Sequence, residues 1–253
     1  MLRIFDDIYI LKGLIRGNME KLYKKAVTFS YDDGVVFDKK LIDIFNKYGI
    51  KGTFNLTRID KDEEKGWVTE RGLLVSGFNL LNEKNIRIYD GHEVAGHTRH
   101  HYSIDKIDDE TLKEEILGNR EDLERVFGRK VNGIAYPFNT YDDRAVEILR
   151  ENGFLYAREG RETHSFDLQE DLLRFRPTCH HNDDMLFELA EEFINAEYDD
   201  LKIFYIWGHA YEFEDDNNWD RIEELCRLIS GKDDIFYGTN SEVFQLQKEY
   251  ERR

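Results

Sequence analysis

Short apolar runs rich in β-branched and aromatic residues alternate along the chain with longer stretches in which apolar positions recur every three or four residues. The short runs predict strands near 26–30, 52–56, 93–96, 131–136, 154–158, 174–178, 202–207 and 235–238. The longer ones predict helices near 37–48, 111–127, 142–152, 184–196 and 219–229. In 142–152, Ala145, Ile148 and Leu149 share one face, Asp142 and Asp143 favour the start, and Gly153 follows the end. Gly128 closes the preceding helix in the same way. Strands separated by helices imply a parallel sheet with helices packed outside it, and seven or eight such units imply closure. The expected fold class is therefore α/β, a distorted (β/α) barrel of seven to eight mostly parallel strands. The segment 60–90 breaks the alternation and is expected to leave the barrel as a long polar excursion.

A length of 253 residues suits a single barrel domain, expected over residues 19–253. Residues 1–18, ahead of Met19, are expected to be an extension that the domain does not need. Their apolar stretch Ile8-Tyr9-Ile10-Leu11 is interrupted by Asp6, Asp7, Lys12 and Arg16, unlike a signal peptide, and no segment approaches a membrane span. The formal net charge of −17 opposes binding to nucleic acid or to an anionic membrane. The expected partner is neutral or cationic. Cys179 and Cys226 are the only cysteines, which offers no disulfide framework and favours a cytoplasmic location.

In a barrel, chemistry occurs where strands run into their following loops. Asp32-Asp33, His97-His101, Pro137-Phe138, His180-His181 and His209 all fall at such strand ends. Two adjacent carboxylates in a pocket need a positive partner for one of them, which a divalent cation supplies. Asp33 is assigned to the metal and Asp32 to the adjacent water as general base, an assignment that the sequence leaves open to exchange. His97 and His101 are four residues apart, so one helical turn would stack both rings toward one ion. His92 and His100 are expected to be bystanders. His209, after Trp207-Gly208, is placed to protonate a leaving nitrogen. Asp/His/His with water as fourth ligand is a toolkit for hydrolysis, with zinc first and cobalt, nickel or manganese also compatible.

Thr28-Phe29-Ser30-Tyr31-Asp32-Asp33-Gly34, His97-Thr98-Arg99-His100-His101, Ala135-Tyr136-Pro137-Phe138 and Trp207-Gly208-His209 together resemble the successive motifs of the polysaccharide deacetylases, carbohydrate esterase family 4 with its NodB-homology domain. The resemblance runs from about residue 25 to 240. It implies a metal-dependent hydrolase that removes N-acetyl groups from an amino sugar. Asp32 would be the base, and Asp33, His97 and His101 the ligands of one divalent ion. His209 would be the acid, and the backbone N–H of Phe138 would hold the oxyanion. Tyr136, in the third motif, is grouped with Phe138 for substrate binding.

Two departures from the family stand out. Where its third motif opens with an arginine that braces the catalytic aspartate, this chain has Ala135, and Arg158 at the next strand end is the candidate replacement. The fourth motif, whose aspartate tunes the acid histidine, is not recognisable in Arg174–His181. His180 and His181 there suit substrate contact, metal contact or packing equally. Residues 211–219 are expected to form an acidic loop whose aromatics, Tyr211 foremost, suit a pyranose ring, with Trp219 tucked onto the barrel. Two other readings stay open: hydrolysis of a non-sugar amide or ester at the same site, and a catalytically silent carbohydrate-binding protein.

Overall fold

The computed structural model describes residues 23–252, so the expected extension over residues 1–18 lies outside the described residues. Strand β1 (Lys25–Asp32) is the strand on which the sheet is assembled, and all eight of its residues are buried. Both of its faces are covered. Val27, Phe29 and Tyr31 join the main apolar cluster with Leu41 and Phe45 of α1 (Asp38–Tyr48). The alternate residues Thr28, Ser30 and Asp32 turn into the barrel, as the two-residue period of a strand requires, and find polar partners there.

The remaining strands are β2 (Thr53–Leu56), β3 (Gly66–Val68), β4 (Leu74–Ser76), β5 (Glu93–Gly96), β6 (Gly133–Ala135), β7 (Tyr156–Arg158), β8 (Cys179–His180), β9 (Lys202–His209) and β10 (Ile235–Tyr237). Eight of the ten form one sheet in the order β7-β6-β5-β2-β1-β9-β8, with β10 also on β1. Every pairing in it is parallel. The segment 175–180 closes the ring. Phe175 bridges Arg158 on one side, while Cys179 and His180 pair with β9 on the other. The expected strand at 174–178 is thus split between two neighbours. The result is the distorted parallel barrel that the alternation predicts.

Three elements differ from the sequence expectation. The excursion at 60–90 contains the antiparallel β3–β4 hairpin and the short helix α2 (Glu83–Arg87), and it buries Val75, Phe78, Leu80 and Tyr89 rather than being polar throughout. The expected helix at 111–127 is α3 (Asp109–Lys113) and α4 (Asn119–Phe127) joined by a π-turn over Glu114–Gly118. A C-terminal helix, Asn240–Glu251, was not predicted. It lays Val243 and Phe244 against Ala26, Tyr156, Phe175 and Tyr205 at the foot of the barrel. Its pattern is weak because three of the five residues it buries are polar: Asn240, Ser241 and Gln247. Cys179 and Cys226 are buried free thiols. No described helix is long and apolar enough to cross a membrane.

Candidate active site

An extended strand would send Asp32 and Asp33 to opposite faces. Asp33 instead has φ +80°, which breaks the alternation as β1 ends and lets both carboxylates face the barrel mouth. Gly34 follows at φ +63°, a conformation that favours glycine, and a Cβ there would lie 2.9 Å from Leu56 Cδ2. Lys61 Nζ donates to the Asp33 carbonyl oxygen and fixes the turn.

His97 and His101 do not sit on a helix. The chain leaves β5 into a loop in which Thr98 (φ +55°) and His101 (φ +59°) take the left-handed conformation, and this loop, not a helical turn, brings the two rings to a centroid distance of 4.8 Å. The π-turn anchors it. The buried carboxylate of Glu115 accepts the His100 backbone N–H at 2.7 Å and faces His100 Nδ1 at 2.6 Å, and the Glu115 carbonyl accepts the Arg99 N–H. His100, expected to be a bystander, is part of the scaffold of this loop. His92 is a bystander: its Nδ1 accepts the Gly52 N–H inside the fold.

Asp33 Oδ1 lies 3.6 Å from His97 Nε2 and 3.5 Å from His101 Nε2. His97 Nδ1 lies 2.9 Å from the Ala135 carbonyl oxygen, which only accepts, so the ring proton sits on Nδ1 and the Nε2 lone pair faces Asp33. Burial pushes the His97 pKa down to about 4, leaving the ring neutral, as metal ligation requires. One carboxylate and two imidazoles converging from separate loops fit a divalent ion.

Asp32 is held differently. Arg158 Nη2 lies 2.5 Å from both of its oxygens, and Asn55 Nδ2 donates to Oδ1 at 2.8 Å. Burial by itself would raise the pKa of this carboxyl. Arg158, His97 and His209 outweigh that effect and lower it to about 2, so Asp32 is an anion at any ordinary pH. His209 ends β9 with Nε2 4.0 Å from Asp32 Oδ2 and Nδ1 3.3 Å from Glu212 Oε1. Here too burial would lower the pKa, but Glu212, then Asp33 and Asp32, carry it up to about 9.

These groups line a cavity of about 600 Å³ at the C-terminal mouth, together with Trp67, Phe138, Trp207 and Tyr211. Phe138 has φ +54° in the turn after β6, its side chain is 64% exposed, and its ring meets His101 edge-on at 4.4 Å. Trp67, 41% exposed, comes from the β3–β4 hairpin and meets Tyr211 edge-on at 5.7 Å.

Tyr136 also lines the cavity, with its hydroxyl donating to the Leu173 carbonyl at 2.8 Å and its ring stacked on Tyr141. His180 and His181 do not line the cavity; they pack behind His209 around Glu212. The expected acidic loop after His209 begins as a helix, Ala210–Asp215, because Glu212 accepts the His209 N–H as a capping residue. Trp219 packs on Phe213 as the next helix starts, as expected. Sequence reasoning missed Glu212, Trp67 and Glu115. Only Glu212 left a signal, a carboxylate three residues after a strand-end histidine.

The sequence profile of the polysaccharide deacetylase family matches residues 20–157, and the chain belongs to that family. No curated protein matches it in sequence. Several solved structures share its fold. A candidate polysaccharide deacetylase from Mycobacterium smegmatis superposes with TM-score 0.64 at 17% identity over 90% of this chain and 92% of the other. The peptidoglycan deacetylase PdaC from Bacillus subtilis gives 0.55 at 15% identity over 91% and 95%. The chitin deacetylase of the fungal pathogen Colletotrichum lindemuthianum gives 0.54 at 17% identity over 87% and 88%. At these identities the likeness is one of fold.

Proposed function

We propose that the chain is a metal-dependent N-deacetylase acting on an N-acetylated amino sugar. One observation carries the reading: Asp33, His97 and His101 face a common point in the cavity, with the ionised Asp32 on one side and His209 within reach of it. Asp33 Oδ1 and the two histidine Nε2 atoms would hold the cation, because these three atoms face one another while both oxygens of Asp32 are engaged by Arg158. A divalent ion, zinc foremost, supplies Lewis acidity that makes a neighbouring water acidic near neutral pH.

The chain's own residues supply the proton transfers. Asp32, kept anionic and oriented by Arg158 and Asn55, accepts the proton of the attacking water. His209, protonated at neutral pH, donates from Nε2 to the departing nitrogen so that an amine leaves in place of an amide anion. The Phe138 backbone N–H, at the position matching the family's third motif, would hold the developing oxyanion. Trp67, Phe138 and Tyr211 offer apolar faces to a pyranose ring at the mouth.

Metal-loaded protein incubated with N-acetylglucosamine oligomers is expected to release acetate, and Asp32→Asn to stop the release. Release from acetyl-xylan or small acetamides alone would change the substrate and keep the chemistry. No release from any of these would defeat the proposal.

A further inference from the structure

The two ring nitrogens of His209 have different surroundings. Nε2 faces Asp32 at the cavity floor, and Nδ1 faces Glu212 Oε1 at 3.3 Å. The second oxygen of Glu212 accepts the His209 backbone N–H at 3.1 Å and lies 3.1 Å from His180 Nε2 and 3.2 Å from His181 Nε2. A single carboxylate therefore gathers three imidazoles.

The donor atoms of His180, His181 and Glu212 lie within 4.8 Å of one another, close enough to suggest a second metal site. The His180 tautomer argues against it. The Asn182 backbone N–H donates to His180 Nδ1 at 3.1 Å, so a neutral His180 carries its proton on Nε2, aimed at Glu212, and has no lone pair there for a cation. His181 is wholly buried, stacked between Tyr31 and Phe213, and a Cβ on Gly208 would lie 2.0 Å from its Nδ1. The His181 ring has no room to swing away. Both rings lie against Glu212 Oε2, while His209 Nδ1 lies against Oε1.

We propose that Glu212, fixed in place by His180 and His181, is the positioning residue for His209: it holds Nδ1 and directs Nε2 toward the scissile bond, filling the place of the fourth-motif aspartate that this chain lacks. The proposal rests on the reading of His209 as proton donor. A plain helix-capping role is separable from it, because glutamine also caps at the third helical position while carrying no charge. The charged and titratable groups facing His209 are Asp32 from β1, Asp33 just after it, Glu212 and Tyr211 from the helix that His209 caps, and His180 and His181. Glu212→Gln removes one of the three carboxylates and leaves the other two.

The test uses metal-loaded protein, with acetate release from N-acetylglucosamine oligomers followed against pH and the His209 ring followed by NMR titration. Glu212→Gln is expected to lower kcat roughly tenfold or more with KM little changed. The alkaline limb of the rate profile and the His209 titration should both move to lower pH by about one unit, since loss of a facing negative charge weakens the protonated ring. Glu212→Asp, which keeps the charge, should recover part of both shifts. An unmoved limb together with an unmoved titration overturns the proposal, whatever happens to stability. A titration that moves while the wild-type protein releases no acetate supports the Glu212–His209 pairing and defeats the deacetylase reading instead.

Discussion

Arg158 reaches from the end of β7 across the barrel interior to place one guanidinium nitrogen 2.5 Å from each carboxylate oxygen of Asp32, with both side chains almost fully buried. The family's arginine at the third motif would have come from position 135, where this chain has alanine. The same charge arrives here from the neighbouring strand, and its ring-facing contact with Trp207, 4.6 Å from the guanidinium carbon, fixes its approach.

Arg158→Ala is expected to lower kcat roughly 100-fold, because Asp32 loses the partner that fixes its direction. It is also expected to cost about 3–5 kcal/mol of stability, since an unpaired carboxylate stays buried. Denaturant unfolding checks the second effect. Adding Asp32→Asn to Arg158→Ala should restore part of that stability, because the buried charge is then removed as well. Equal stability of Arg158→Ala and wild type would show that the pair holds nothing in place.

Chelation followed by dialysis is expected to abolish acetate release, with recovery on adding back a divalent ion. His101→Ala and Asp33→Asn should each reduce metal content measured on the purified protein. Glu115→Ala tests the scaffold. It touches no cavity atom of the proposed metal site, yet it frees the His100 backbone N–H and hence the loop carrying His101. A loss of roughly tenfold in metal affinity is expected, in line with other residues that orient ligands from behind. Unchanged affinity would mean that the loop holds its shape without the π-turn.

Much of this arrangement is legible in the sequence. The alternation of short apolar runs with helical periods carries the barrel, and strand-end positions bring Asp32, Asp33, His97, His101, His209 and Arg158 to one mouth. The rest is hidden for physical reasons. The His97–His101 spacing suggests a helical turn, but the rings meet through left-handed residues that are not glycine, and such residues leave no compositional mark. Glu212 sits in a six-residue helix, too short to show a period, inside a run so acidic that it looks solvated. Trp67 depends on a three-residue pairing between Gly66–Val68 and Leu74–Ser76, below what alternation can reveal.

The β3–β4 hairpin is tied to the helix after His209 by Thr69 Oγ1 donating to Asp215 at 2.6 Å and by Arg71 to Asp216, which holds Trp67 over the cavity. Trp67→Ala is expected to raise KM for sugar substrates roughly fivefold, about 1 kcal/mol of lost aromatic contact, with kcat little changed. The same substitution should leave KM for a small acetamide unaltered. An equal effect on both substrates would assign Trp67 to the shape of the cavity and not to the sugar.

Stability should carry a pH signature of the Glu212–His209 pair, measured on metal-free protein. The Glu212 carboxyl would be raised by burial, but the close ion-pair contacts with His180 and His209 hold it well below its ordinary 4.5. A depressed carboxyl contributes stability that is present in full above 4.5 and is lost as pH falls toward the folded-state value. His209 runs the other way. Raised from 6.5 to about 9, it contributes stability that is present in full below 6.5 and is lost as pH rises through about 9. The two windows overlap between about 4.5 and 6.5, where both charges are present in folded and unfolded chains alike and the pair acts at full strength. Glu212→Gln is therefore expected to be most destabilising, relative to wild type, within that window, with the difference shrinking toward pH 3 on one side and pH 9 on the other. Chemical denaturation across this range measures it, and a difference independent of pH would reduce Glu212 to a helix cap.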